Sequence, residues 1–318
     1  MISVIIPYYQ RETGILQRAL RSIGAQKGCS ESLQIIVVDD GSPVPASGEI
    51  AAVDDLKLDI RCILQRNGGP GAARNTGLDA VADRTRYVAF LDSDDEWAVN
   101  HLENAAKALK SGYDFYFADH LQLGAEISAF KRAGRIQLQD HPELEADPGL
   151  HAYTGDMFDQ ILRGNLIGTS SVVYDFHRFA RQRFKVEFTN AGEDYLFWID
   201  IALAGARFSF SETSEVCYGR GVNIYAGSGW GSDTHLLRLH NEIKFKKRLL
   251  DDYPLSKKQK LKIKSDINIL RKSFTQDLIH RIKNKKGLAL DVISKHIGLD
   301  PQTFIKLPLN IINIILKR

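Results

Sequence analysis

The densest chemistry in the sequence lies in Phe90-Leu91-Asp92-Ser93-Asp94-Asp95-Glu96-Trp97, where four carboxylates follow an apolar run. Crowded together, they raise each other's proton affinity unless a counter-charge is supplied. Asp92 and Asp94 form an Asp-x-Asp pair that offers oxygens to a hard divalent cation, Mn²⁺ or Mg²⁺, and leaves coordination positions for a diphosphate. Acids that complement a helix dipole would account for Asp95 and Glu96 but not for Asp92.

Three further segments carry side chains of the same kind. Pro7-Tyr8-Tyr9-Gln10-Arg11 and Asp39-Asp40-Gly41-Ser42 each follow an apolar run. Tyr9 could stack on a nucleobase while Asp40 accepts one of its N–H groups, although Asp-Asp-Gly-Ser is also ordinary turn chemistry. Asn67-Gly68-Gly69-Pro70-Gly71-Ala72-Ala73-Arg74-Asn75 lacks the third glycine of a dinucleotide fingerprint, since Arg74 stands there. Its glycines instead let backbone approach a ligand, Gly69 among them, with Arg74 and Asn75 supporting a donor pocket. Gly192-Glu193-Asp194 places adjacent acids at a helix start, where a simple cap is the alternative to catalysis.

Elements must bring these segments to one place. Short apolar runs at 2–7, 34–38, 60–65, 87–91 and 114–118 read as strands. Between the first two, Ile15, Leu16, Ala19, Leu20 and Ile23 recur at helical spacing. After the fourth, Val99, Leu102, Ala105, Ala106 and Leu109 do the same. The pattern predicts a mostly parallel sheet with right-handed crossovers and ligands beyond the carboxyl ends of its strands. Residues 120–165 read as an insertion or flexible lid. Ser170 to Tyr174 predicts a strand, Asp194 to Leu203 a helix, and 207–211 and 215–218 two more strands. Gly219 to Gly231 is glycine-rich, and 234–250 and 256–286 read as basic helices. Phe304 to Lys317 is apolar except for Lys306, Asn310, Asn313 and Lys317 at i, i+4, i+7 and i+11. Such a helix either packs on the protein or lies in a membrane interface.

The 318 residues carry a net charge of +3, but the balance is uneven. Residues 1–243 carry 23 basic and 33 acidic side chains, and residues 244–318 carry 19 and 6. The acidic part suits a cation or a metal-bridged anion, and the basic part suits an anionic surface. No apolar run approaches the length of a spanning helix. The opening residues have no basic leader, so a cytoplasmic chain is expected, peripheral on the inner membrane if the basic end docks there. Cys29, Cys62 and Cys217 lack metal or disulfide spacing and are expected to be buried free thiols.

Taken in order, Ser3 to Pro7, Val37 to Ser42, Asn67 to Asn75, Asp92 to Asp95 and Glu193-Asp194 resemble the family 2 glycosyltransferases of the GT-A fold, over roughly residues 1 to 225. Gln10 stands where an asparagine is often found. The resemblance implies a domain over 1–232, with a nucleotide-sugar donor half at 1–120 and an acceptor half at 121–232. A basic helical extension then follows over 233–318. It implies uracil contacts from Pro7, Tyr9 and Asp40, with Arg11 in the same donor loop, and ribose or diphosphate contacts around Asp92 and Ser93. It further implies metal ligation by Asp94 with Asp92, and Asp194 as general base beside Glu193. The stretch Tyr218 to Gly231 looks like that of bacterial exopolysaccharide glucosyltransferases. That would lay a loop over the donor, with Trp230 free to stack on a sugar; the alternative is a long turn with Trp230 in the core. The implied reaction is inverting transfer from a UDP-sugar to a saccharide, often one linked to polyprenyl diphosphate.

Two other functions fit less well. A sugar nucleotidyltransferase would need a glycine-rich triphosphate loop after the first strand, where Tyr8-Tyr9-Gln10-Arg11 stands. A nucleic-acid binder would need aromatics among its basic residues, and beyond 243 there are only Phe245, Tyr253, Phe274 and Phe304. No nucleic-acid partner is expected.

Overall fold

In the computed structural model, residues 1–188, 192–222 and 229–308 are described. The chain divides into two units, Met1–Thr189 with Glu193–Val222, and Asn190–Gly192 with Asn223–Arg318. The break follows Val222, where the sequence reading sets it after residue 232.

The first unit begins with β1 (Ile2–Tyr8), α1 (Ile15–Gly24), β2 (Leu33–Asp39), α2 (Ala46–Ala51), β3 (Ile60–Leu64), α3 (Pro70–Asp79) and β4 (Tyr87–Phe90). β1 pairs in parallel with β2 and β4, and β2 with β3. Nearly every side chain of β1 and β4 is buried, as expected for strands covered on both faces. Ile15, Leu16, Ala19, Leu20 and Ile23 form the buried face of α1. α3 lies close on β1, because a Cβ at Gly77 would stand 2.4 Å from Ile5 Cγ2.

The remaining elements are β5 (Glu96–Trp97), α4 (His101–Lys110), β6 (Phe115–Leu121), α5 (Ala129–Ala133), β7 (Glu143–Leu144), β8 (Asp147–Ala152), α6 (Met157–Arg163), β9 (Val173–Asp175), α7 (Phe176–Phe179), α8 (Glu193–Leu203) and β10 (Phe208–Cys217). The sheet runs β3-β2-β1-β4-β9-β6-β10-β8-β7, with β5 on β10. β6 and β10 are parallel, and β9 runs antiparallel between β4 and β6. The expected mostly parallel mixed sheet flanked by helices is present.

Several details differ from the sequence reading. The expected insertion at 120–165 is ordered and supplies β7 and β8 to the sheet edge. The two strands near 207–218 are one strand, with register shifts around Ser214. Of the expected strand from Ser170 to Tyr174, only Val173 and Tyr174 lie in β9, because Thr169–Ser171 forms a 3₁₀ turn. Val99 precedes α4 and is exposed, so the buried stripe starts at Leu102. The cysteines are free, but Cys62 and Cys217 are exposed and Cys29 is half-buried; residue type alone does not fix depth on an edge strand or strand end.

The second unit holds α9 (His235–Asp252), α10 (Lys257–Lys283), α11 (Leu290–Leu299) and α12 (Gln302–Ile305). Leu236, Leu239, Phe274, Leu278 and Val292 form its core. Ser256 and Gln259 close a capping box at the start of α10. Arg271 pairs with Asp300 at 2.6 Å, tying the α11–α12 junction to α10. The expected terminal helix falls mostly on 309–318, outside the described residues. Among the described residues, no helix is long and apolar enough to cross a membrane.

The tight seat of α3 makes Gly77 a test of this packing. Gly77→Val should cost about 1–3 kcal/mol by overpacking Ile5. Equilibrium denaturant unfolding measures it, and an unshifted midpoint would contradict the contact.

Candidate active site

β1, β2, β4, β6 and β10 all end at one edge of the sheet, because each is parallel to a neighbour in that set or linked to it through β9. After β2, the adjacent aspartates divide their work. Asp39 accepts the N–H groups of Ser42 and Ala46, at 2.8 and 2.9 Å, and so shapes its own turn. Asp40 accepts from the backbone N–H groups of Gly68 and Gly69, each at 2.8 Å, and from Gln65 Nε2 at 2.7 Å. Asp40 therefore fixes the glycine turn ahead of α3. Pro7 and Tyr9 are half-buried at this edge, and Arg11 is exposed. Asn75 exchanges two hydrogen bonds with the backbone of Phe184.

The loop after β4 is held from below. Ser170 Oγ accepts the Asp92 N–H at 3.0 Å and donates to Asp95 Oδ2 at 2.5 Å. Gly219 N–H donates to the other Asp95 oxygen at 3.1 Å. Gln10 joins this loop to the segment after β10: its Nε2 donates to Ser93 Oγ, and its Oε1 accepts the Val222 N–H. Buried Arg74 donates to Asp92 Oδ1 at 2.6 Å and to Glu193 Oε1 at 3.3 Å, with its guanidinium over the Phe184 ring. Burial works against a charged guanidinium, but Asp92 and Glu193 outweigh it and hold its pKa above the ordinary value.

Glu193 and Asp194 open α8. Glu193 is buried, and its Oε2 has no hydrogen-bond partner among the described residues. Burial and then Asp194 push its carboxyl well above the usual range, against the pull of Arg74. Asp194 is more open, and its Oδ1 accepts the Tyr195 N–H at 2.8 Å. Burial raises Asp194 to about 6, with Arg74 opposing. A carboxylate with that proton affinity is better matched to removing a proton near neutral pH than an exposed aspartate is.

The family implies a divalent cation here, and the donor set fits one of modest protein ligation. Among the described residues, no three His, Cys, Asp or Glu side chains are grouped as a cage. Asp94, however, is raised to about 6 by burial and then by Asp92, a charge that the chain leaves poorly compensated. A hard cation held by one or two carboxylates, and otherwise by ligand phosphate and water, matches that arrangement.

The structure thus brings together Asp40 with Gly69, and Asp92, Arg74 and Glu193, along one edge. Trp230 belongs to the second unit, more than half exposed, with its ring 5.6 Å from His280 and 5.8 Å from His235; it is not a core residue. The sequence reading misses Ser170, which lies 75 residues from Asp95 and carries no motif. It also misses the positioning contacts of Gln10, whose only signal is its place beside Tyr9.

A mostly parallel mixed sheet flanked by helices, with an Asp-x-Asp loop and an aspartate of raised proton affinity at a helix start, is the arrangement of a GT-A glycosyltransferase. The chain belongs to glycosyl transferase family 2, whose model matches residues 3–185. Succinoglycan biosynthesis protein ExoW of Rhizobium meliloti is 33% identical over 304 residues, covering 95% of this chain and 94% of ExoW. Minor teichoic acid biosynthesis protein GgaA of Bacillus subtilis is 38% identical over 121 residues, 36% of this chain and 25% of GgaA. Two solved structures share the fold. S. aureus TarS 1-349 in complex with UDP-GlcNAc has a TM-score of 0.56 at 20% identity, over 89% of this chain and 72% of that one. The mannosyltransferase PcManGT from Pyrobaculum calidifontis, in complex with GDP-Man and Mn²⁺, has a TM-score of 0.54 at 16% identity, over 99% and 86%.

Arg74 supplies the positive charge between two acidic segments, so Arg74→Met should destabilise the protein by about 3 kcal/mol, chiefly by stranding buried Glu193, with the half-buried Asp92 adding less. Denaturant unfolding at neutral pH checks this. A loss below about 1 kcal/mol would mean that the pairs are solvated and weak.

Proposed function

We propose that this glycosyltransferase moves a hexose, glucose by the likeness of its 218–231 segment, from a UDP-sugar to a hydroxyl of a saccharide acceptor in exopolysaccharide assembly. The observation that carries the reading is the convergence of the Asp92–Asp95 loop with Glu193–Asp194 through one buried arginine. Similarity to ExoW along nearly the whole chain supports the polysaccharide class. A UDP-sugar is the donor class of the TarS complex, and the residues that the family resemblance gives to the nucleotide are Pro7, near the end of β1, and Tyr9, Arg11 and Asp40, just after β1 and β2.

The transfer is a single displacement with inversion. Asp194 takes the proton of the acceptor hydroxyl as that oxygen attacks the anomeric carbon. The bond from that carbon to the diphosphate oxygen breaks, and its electron pair leaves with the diphosphate. A divalent cation, Mn²⁺ or Mg²⁺, held by Asp94 with Asp92 beside it, would offset charge on the departing diphosphate when bound. Arg74 holds Asp92 in place, Asp40 holds the glycine turn for the donor, and Ser170 fixes the loop between them.

Two measurements address Asp194. Asp194→Asn should lower transfer by about 10²–10⁴-fold while UDP affinity, read by calorimetry, stays within about twofold. Lost UDP affinity would give Asp194 a structural role. Since the working form is the carboxylate, kcat/KM should fall as pH drops through about 6. An acid limb near the ordinary aspartate value of 3.8 would contradict the raised base.

The acceptor is read as linked to polyprenyl diphosphate, with the enzyme on the cytoplasmic face of the inner membrane. The excess of basic residues beyond 243 and the apolar end support this reading. Removing residues 309–318 should weaken flotation with anionic vesicles. Undiminished flotation would rule out that end as the anchor.

A further inference from the structure

The second half of the sheet edge holds a pair of side chains that the mechanism above does not use. Tyr218 follows β10, and its N–H donates to Leu121 O at 3.0 Å. Its ring stacks on His120, near the end of β6, with centroids 4.8 Å apart and planes 14° apart. His120 is only 4% exposed, and its Nδ1 has no hydrogen-bond partner among the described residues. Both polar tips converge on Gly168: a Cβ there would stand 2.5 Å from Tyr218 Oη and 3.0 Å from His120 Nδ1.

This convergence borders the catalytic loop. Gly168 opens the 3₁₀ turn whose Ser170 holds both the Asp92 N–H and the Asp95 carboxylate. The residue after Tyr218 donates its N–H to Asp95. Burial, and then Asp95, Asp92 and Asp194, push the Tyr218 phenol far above its ordinary pKa, so it remains a neutral donor among anions.

Sheet order then separates two substrates. Tyr9 follows β1 and Asp40 follows β2, on one side of β4 and its carboxylates. His120 and Tyr218 come from β6 and β10, on the other side. We propose that Tyr218 binds the acceptor saccharide, its hydroxyl hydrogen-bonded to an acceptor hydroxyl beside the catalytic loop, and that His120 is a positioning residue that fixes the Tyr218 ring by stacking. A neutral phenol suits this task, because it offers a hydrogen bond to a sugar without adding charge to an acidic site. The inference rests on the reading of this site as a sugar transferase.

Steady-state kinetics on the full chain, with UDP-glucose as donor and a glucose-terminated oligosaccharide as acceptor, test it. Tyr218→Phe should raise acceptor KM about tenfold, the effect of one lost hydrogen bond of about 1.4 kcal/mol. UDP affinity by calorimetry should stay within about twofold. Gly168→Ala should do the same, because its backbone at φ −75° and ψ 132° accepts alanine while the new methyl displaces the phenol tip. His120→Phe should keep acceptor KM near the wild-type value by preserving the stack, and His120→Ala should raise it. An unchanged acceptor KM in Tyr218→Phe, or weakened UDP affinity instead, overturns the assignment. A wild-type chain that binds no UDP overturns the transferase reading itself, which calorimetry shows before any variant is made.

Discussion

One buried guanidinium sets the terms for the rest of the site. Taking several carboxylates out of water in one place is costly unless a cation shares the space. Arg74 meets Asp92 and Glu193 with two separate nitrogens, so its planar fork joins the Asp92 loop to an acid 119 residues beyond the arginine in sequence. That charge does not reach every acid. Glu193 keeps one oxygen unpartnered, and Asp94 and Asp194 both sit above the ordinary aspartate range because burial outweighs the help available. The residual negative charge is the property on which the proposed cation site at Asp94 and the proposed base at Asp194 both rest.

Adjacent acids in this chain do different jobs because a single residue step changes the direction in which a side chain points. Asp39 turns back on its own loop, while Asp40 reaches across to the glycines ahead of α3. Asp92 faces Arg74, and Asp95 faces Ser170 and Gly219. Glu193 is buried against the arginine, while Asp194 is more open. Asp39 and Asp40 are both spent on turns, whereas Asp92 and Glu193, held by Arg74, have near neighbours of raised proton affinity, Asp94 and Asp194. Glycine makes the close approaches possible: a Cβ at Gly221 would fall 2.3 Å from Asp94 Oδ2.

Much of this was legible in the sequence. Apolar runs located β1 to β4 within a residue or two, since parallel strands covered on both faces must be continuously apolar. The acids at their ends marked the site because such residues are costly unless employed. What escaped depends on pairings far apart in the chain. Ser170, Gly168, His120 and Tyr218 are ordinary residue types whose roles exist only once β9 lies between β4 and β6 and β10 lies beside β6. The 120–165 segment reads as an insertion or flexible lid because its glycines, prolines and mixed charges mask two short edge strands. Arg74 was read as a donor contact, since nothing local shows that two distant acids converge on it.

A nucleotide-bound cation at Asp94 is the proposal on which donor binding turns, since burial and Asp92 leave that carboxylate poorly compensated. Calorimetric titration of a panel of nucleotide sugars into the wild type and Asp94→Ala, with and without Mn²⁺, tests it most directly. The account predicts binding of one UDP-sugar that needs Mn²⁺ and is lost in the variant. Tight binding that ignores both Mn²⁺ and the loss of Asp94 would contradict it.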